Sequence, residues 1–76
     1  MTEQSWLNTF GDNLRDLLSE AGMTQEELAE ETGLSAATIS CYIHKRKMPG
    51  PRALINLADV LNVTLDELMD FGDTIE

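Results

Sequence analysis

The chain has 76 residues, enough for one domain but not for two. Its 42% hydrophobic content excludes a wholly disordered chain, and no apolar run approaches the ~20 residues of a membrane span. Its start carries neither a basic nor an apolar block, so no signal peptide is predicted, and the single Cys41 excludes an internal disulfide. We expect a cytoplasmic, single-domain protein over residues 1–76, with its core at about 6–71 and a frayed end at 72–76.

The formal net charge is -9, but the charges are unevenly distributed along the chain. Residues 1–31 carry eight acids and one base, and residues 59–76 carry six acids and no base. Residues 32–58 carry no acid, and their four bases are Lys45, Arg46, Lys47 and Arg52. A local basic segment in an acidic protein is typical of one nucleic-acid-binding surface, although a solvated basic loop explains the charges equally well.

The apolar spacing is helical throughout, and β-branched residues never alternate with polar ones as they would in a strand. An apolar stripe predicts a first helix, which Gly22 ends as a C-terminal cap. Thr24 opens a second helix, since Glu27 three residues later completes a capping box, and Gly33 ends that helix. The stripe of the first helix consists of Leu7, Phe10, Leu14, Leu17, Leu18 and Ala21.

Three further helices follow. Ser35 caps a third helix that runs to about His44. Pro51 suits the first turn of a fourth helix, and Thr64 with Glu67 repeats the capping box at the start of a fifth. The apolar residues of the last two helices are Ala53, Leu54, Leu57, Ala58, Leu61, Leu65, Leu68 and Met69.

The second and third predicted helices are separated by only three residues. Two short helices joined so tightly must cross steeply, as in a helix-turn-helix. Ala29 is small where the two helices would touch, and Gly33 supplies the positive φ that the turn needs. Ile39 and Tyr42 are spaced to face inward from the third helix. The chain is therefore predicted to be all-α, with a helix-turn-helix at about residues 24–44.

These residues belong to a longer pattern that covers the chain from roughly Phe10 to Phe71. Its parts are Gln25-Glu26-Glu27-Leu28-Ala29, Gly33-Leu34-Ser35, Thr38-Ile39-Ser40, the basic run before Pro49, Leu54, Leu57-Ala58, Leu61, Val63-Thr64-Leu65 and Glu67-Leu68. Together they resemble the Cro/cI, or XRE-type, family of lambda-repressor-like domains. The resemblance implies a five-helix fold, a sequence-specific DNA-binding transcriptional regulator of the phage or mobile-element repressor type, and homodimers on pseudo-palindromic operators.

The resemblance also implies which residues contact double-stranded DNA. Gln25 matches a residue that holds a phosphate, at a helix N-terminus that favours anions, although an ordinary exposed helix start is the alternative. The outer face of the third helix matches the groove-facing positions, the basic loop after it matches a backbone grip, and Arg52 matches a position that reaches toward the minor groove in some relatives. The implied DNA-binding residues are Thr24, Gln25, Ser35, Ala36, Ala37, Ser40, Cys41, His44, Lys45, Arg46, Lys47 and Arg52.

Two of the groove-facing positions depart from the family pattern. Ala36 and Ala37 stand where relatives often carry Gln, Arg or Asn. Alanine offers no bidentate hydrogen bond to a base, each of which is worth ~1–3 kcal/mol of discrimination. Sequence preference would then depend on Ser40, His44 and Arg52 and on DNA shape.

Two further departures concern the packing of the third helix. Leu18 and Ile43 together replace an arginine–glutamate pair of the family, and we expect them to contact each other, since an apolar pair can replace a buried ion pair without loss of stability. Lys45 replaces the glycine that usually follows this helix, so it must either bear strain or extend the helix.

Other features allow competing interpretations. Cys41 and His44 lie three residues apart and form at most half a metal site, so neither a metal nor another cofactor is expected. Ser40 and His44 lack an orienting third group, so we expect no enzyme activity. The acidic run of the second helix is either a solvated face or a docking surface for a basic protein. That run consists of Glu26, Glu27, Glu30 and Glu31.

The alternative function is a protein-interaction module of the antitoxin or antirepressor type, which keeps the fold but has weak or no DNA binding. The charge of -9 and the two alanines at reading positions favour it. A homodimer is expected through the apolar C-terminal end, formed either by the protein alone or on DNA. The residues of that end are Leu65, Leu68, Met69, Phe71 and Ile75.

Overall fold

The computed structural model describes residues 3–69, and within that range it contains five α-helices and no strand. The helices are α1 (Glu3–Ala21), α2 (Gln25–Thr32), α3 (Ala36–Ile43), α4 (Pro51–Leu61) and α5 (Leu65–Met69). The predicted all-α, five-helix architecture is confirmed. The expected fraying of residues 72–76 lies outside the described residues.

The helix ends lie close to their predicted positions because local hydrogen bonds fix them. Gly22 follows α1 with φ +68°. Glycine adopts this left-handed conformation at little cost because it has no Cβ. At the start of α2, the Thr24 hydroxyl accepts from the Glu27 N–H at 3.1 Å, and the Thr24 N–H donates to Glu27 Oε1 at 2.8 Å. Thr64 and Glu67 make the same reciprocal pair of bonds before α5. Both predicted capping boxes are therefore confirmed.

The core forms where α1 packs against α3, α4 and α5, while α2 packs against α3 and α4. The ring of Phe10 meets the ring of Tyr42 edge-to-face, with centroids 5.5 Å apart, which attaches α3 to α1. Burying each large apolar side chain contributes about 1.5–3 kcal/mol, so a helix that supplies one is held firmly. Every helix supplies at least one fully buried side chain, and these are Phe10, Leu14, Leu28, Ile39, Leu57 and Leu68.

Fewer apolar residues of the C-terminal helix are free to form a dimer surface than expected. Leu68 and Met69, expected to help form a dimer surface, are buried in the core of the single chain. Leu65 is partly exposed, whereas Phe71 and Ile75 lie outside the described residues. Any pairing through this end would therefore need Leu65 and residues beyond α5.

Candidate nucleic-acid interface

The turn between α2 and α3 is fixed by the backbone and by a side chain from α4. Gly33 has φ +77°, and its N–H donates to the Ala29 carbonyl at 2.9 Å. The buried Thr32 hydroxyl accepts from the Leu34 N–H at 3.3 Å and donates one turn back into α2. Asn56 of α4 donates to the Thr32 carbonyl at 2.6 Å. A side chain of α4 thus helps to hold the turn between the two helices in place.

Helix α3 has one anchored face and one open face. The Ser35 hydroxyl caps it by accepting from the Thr38 N–H at 3.0 Å. Ile39 and Tyr42 are buried, as predicted, so the residues on the other side of a 3.6-residue turn are directed away from the core. On that side Ser35, Ala36, Ala37 and His44 are exposed, and Ser40 and Cys41 are half-buried.

The only ring on the open face of α3 in the described chain belongs to His44, and it is tied to Ser40. His44 Nδ1 lies 2.9 Å from the Ser40 carbonyl oxygen and 3.2 Å from its hydroxyl. Because a carbonyl oxygen only accepts, a hydrogen bond to the Ser40 carbonyl requires the tautomer with its proton on Nδ1. Nε2 is then the acceptor nitrogen, and it can accept from an amino group on a base edge.

A Schellman motif closes α3, with Lys45 in its left-handed position. Lys45 has φ +63°; its N–H donates to the Tyr42 carbonyl at 3.1 Å, and the Arg46 N–H donates to the Cys41 carbonyl at 2.8 Å. Of the two expected outcomes for this departure from glycine, the residue bears the strained conformation and does not extend the helix. That conformation costs a residue with Cβ about 1–2 kcal/mol.

The Lys45 side chain returns to α1. Its Nζ lies 2.9 Å from Asp12 Oδ1, and its Cγ passes over Gly11, where a Cβ would lie only 2.9 Å away. The Lys45 hydrogen bond holds the pKa of Asp12 below its ordinary 3.8. Arg46 and Lys47 are exposed, and neither has an ion-pair partner within the part of the chain that the structure describes.

The start of α2 offers less to an anion than the family pattern implies. The hydroxyl and N–H of Thr24 are both engaged in the capping box, and Gln25 is half-buried at the first helical position. The carboxylates of Glu26 and Glu27 occupy the same turn. Their negative charge offsets the attraction of the helix N-terminus for a phosphate.

Arg52 and Cys41 lie on different elements of the proposed interface. Arg52 is exposed in the first turn of α4, beside Asn56 and Asp59. Cys41 is a free thiol on α3. Within residues 3–69, no three His, Cys, Asp or Glu side chains are grouped as metal ligands, and no helix has the length and apolar character needed to cross a membrane.

Sequence comparison finds helix-turn-helix regulators among the proteins that this chain resembles. The pattern of the HTH_3 family, described as Helix-turn-helix, matches residues 14–68. The chain is 38% identical over 71 residues to the HTH-type transcriptional repressor RghR of Bacillus subtilis, covering 92% of this chain and 53% of that protein. It is 36% identical over 61 residues to an uncharacterized HTH-type transcriptional regulator of Archaeoglobus fulgidus, covering 79% and 86% respectively. The chain spans about half the length of the Bacillus subtilis relatives it matches.

Solved structures give the same result. The restriction-modification controller protein C.AhdI of Aeromonas hydrophila superimposes with a TM-score of 0.78 at 29% identity, covering 82% of this chain and 94% of that one. A hypothetical transcription factor, NHTF from Neisseria, gives a TM-score of 0.82 at 28% identity, covering 91% and 79%. These proteins are named as regulators, a controller and a transcription factor, and none is named as an enzyme.

Proposed function

This chain belongs to the HTH_3 helix-turn-helix family, and we propose that it is a sequence-specific DNA-binding transcriptional regulator. The observation that carries the proposal is the placement of α3. Its buried Ile39 and Tyr42 fix one face in the core, while the opposite face stays open and leads into the exposed Arg46 and Lys47. A rigid helix with an open face beside free cations is suited to a DNA groove and its flanking phosphates.

Charge supports the same surface. The segment 32–58 carries four bases and no acid, whereas the segments before and after it carry net charges of -7 and -6, from eight acids less one base and from six acids. DNA phosphates are repelled by both acidic segments. Docking is therefore confined to the side of the molecule that presents α3 and the turn after it.

The finer form of the proposal is a cytoplasmic repressor of the phage or mobile-element type that binds as a homodimer. Its support is the likeness to Cro and cI proteins, whose operators are pseudo-palindromic. Pairing would use Leu65, which is partly exposed, with residues beyond α5. Sedimentation of the protein alone and with its operator tests this form, and a monomer in both states would contradict it.

DNA binding itself is tested by titrating the protein into random-sequence duplex DNA over a range of salt concentrations. Arg46→Ala and Lys47→Ala should each weaken binding to all duplexes alike and reduce the slope of log K against log salt by about one unit. The matched control is Arg15→Ala, which removes the same charge from α1, where Arg15 lies beside Asp12 and Asp16. It should leave the slope nearly unchanged.

The outcome of that titration also decides between the two candidate functions. If Arg46→Ala and Lys47→Ala leave binding and its slope unchanged, the proposed face is wrong. If the unsubstituted protein binds no duplex at low salt, the protein-interaction module replaces the regulator. One observation favours that alternative: carboxylates of α2 and the apolar Met23 and Val60 line an open pocket with a volume of about 440 Å³. The carboxylates are those of Glu27, Glu30 and Glu31.

A further inference from the structure

We propose that Asp12 competes with DNA for the ammonium group of Lys45, and that it thereby lowers both the affinity and the salt dependence of DNA binding. The inference rests on the proposed function. It assigns a role to a residue of α1, outside the helix-turn-helix, and it changes the expected contribution of Lys45. Of the three consecutive bases that follow α3, Arg46 and Lys47 are then available to phosphates in the unbound protein, whereas Lys45 is already paired.

The backbone conformation of Lys45 directs its side chain toward α1. The left-handed conformation at φ +63° ends α3 and turns the chain so that Lys45 lies against α1. Its Cγ occupies space that Gly11 leaves open, since a Cβ on Gly11 would lie 2.9 Å from that carbon. The stem is therefore led across α1, and its Nζ reaches Asp12 Oδ1 at 2.9 Å.

Asp12 is close enough to Lys45 to form an ion pair with it, and the pair is exposed enough for Lys45 to leave Asp12 for a phosphate. The side chains of Lys45 and Asp12 are 34% and 46% exposed, and ion pairs so open to water are weak and screened by salt. A lysine on its flexible stem can leave such a partner for a phosphate. Arg15, whose Nη2 lies 3.8 Å from Asp12 Oδ1, stays beside the carboxylate after Lys45 leaves.

This exchange predicts a specific cost for binding. A cation that is already paired contributes less free energy to DNA binding when it contacts a phosphate, because one ion pair is broken as another forms. Lys45 then contributes little to the salt dependence, whereas Arg46 and Lys47 contribute fully. Removing the charge of Asp12 should release Lys45 for DNA without disturbing the Schellman motif, which is made by backbone groups.

The test measures binding of the full chain to one random-sequence duplex at several salt concentrations, for Asp12→Asn, Asp16→Asn and each change combined with Lys45→Gln. Asp16→Asn is the matched control: it removes the same charge on the same helix, and Asp16 Oδ1 also lies near Arg15, at 3.7 Å from Nε. Asp12→Asn should bind roughly two- to fivefold more tightly and steepen the slope by nearly one unit. In the Lys45→Gln background it should have the same small effect as Asp16→Asn.

Each alternative outcome has a separate meaning. Equal effects of Asp12→Asn and Asp16→Asn, or an Asp12→Asn effect that persists without Lys45, would overturn the inference while leaving the proposed function intact. Binding by none of the proteins at low salt would overturn the proposed function, and the inference with it. Circular dichroism of every variant excludes a change of fold as the cause of altered binding.

Discussion

A Cβ atom placed on Gly11 would lie 2.9 Å from the carbonyl oxygen of Tyr42. The same atom would lie 3.1 Å from the carbonyl oxygen of Ile43. The middle of α1 therefore approaches the backbone at the end of α3 without a side chain between them. Backbone carbonyls cannot rotate aside as a flexible side chain can, so this contact sets how far α3 stands from α1.

We expect Gly11→Ala to destabilise the protein by about 1–3 kcal/mol, the usual cost of overpacking. The direction is informative, because alanine favours an isolated helix over glycine by about 1 kcal/mol. Urea unfolding followed by circular dichroism measures the change. Ser19→Ala, at an exposed position of the same helix, is the control and should change stability by less than about 0.5 kcal/mol. An unfolding midpoint for Gly11→Ala at or above that of the unsubstituted protein would contradict the close approach.

The Asp12 carboxylate should titrate below its ordinary pKa of 3.8, chiefly because Lys45 donates a hydrogen bond to it. A lowered pKa in the folded state means that the pair contributes stability above pH 3.8 and loses it as the pH falls through the folded value. Lys45→Gln should move the pKa of Asp12 back toward 3.8 and reduce the loss of thermal stability on acidification. Carbon-detected NMR of the carboxylate measures the first effect. An Asp12 pKa that is unchanged by Lys45→Gln would show that the pair does not form in solution.

The helix ends are predictable from the sequence because their determinants are local. Thr24 and Glu27 are three residues apart, and a glycine such as Gly33 marks a left-handed position by itself. The apolar period also identified Ile39 and Tyr42 as the buried side of α3. The apolar stripe of α1 is less uniform in the structure: Leu14 and Leu18 are buried, whereas Ala21 is exposed at the last position of the helix.

The contacts that position the candidate interface were not predictable in the same way. Asp12 and Lys45 are 33 positions apart, and no local spacing connects them. The strained backbone at Lys45 was one of two outcomes left open, and only the packing against Gly11 shows why the side chain turns to α1. Such contacts depend on how whole helices cross, which periodicity alone does not specify.

Asn56 shows the same dependence and gives a third prediction. Asn56→Ala removes the donor at 2.6 Å from the Thr32 carbonyl, just before the turn of the helix-turn-helix. Leaving such a group unsatisfied should cost about 1–3 kcal/mol in urea unfolding, and it should weaken DNA binding because α3 is less firmly placed. The neighbouring Ile55→Ala, at a side chain 60% exposed, is the control. Equal stability of the two variants would contradict a structural role for Asn56.

Leu18 and Ile43 were expected to form an apolar contact in place of a family ion pair. Leu18 is buried and Ile43 is half-buried against the core, so neither is exposed, and their mutual contact stays a prediction. A double-mutant cycle with Leu18→Ala and Ile43→Ala measures it. A coupling energy above about 0.5 kcal/mol is expected for side chains in contact. Strict additivity would show that each packs against other residues.

The last prediction separates sequence preference from affinity on the open face of α3. His44 presents Nε2 as an acceptor while its Nδ1 is bound to Ser40, and an acceptor distinguishes base edges by their amino groups. His44→Ala should therefore weaken binding to the operator, selected from random duplexes, more than binding to unselected DNA, with an almost unchanged salt slope. Ser40→Ala should have the same effect in smaller degree, because it removes only the hydroxyl at 3.2 Å and keeps the carbonyl that orients the ring. Arg46→Ala serves as the contrast, since a phosphate contact is lost from both DNAs equally. If His44→Ala weakens both DNAs by the same factor, the ring contacts the backbone, and sequence preference would have to come from Ser40, Arg52 and DNA shape.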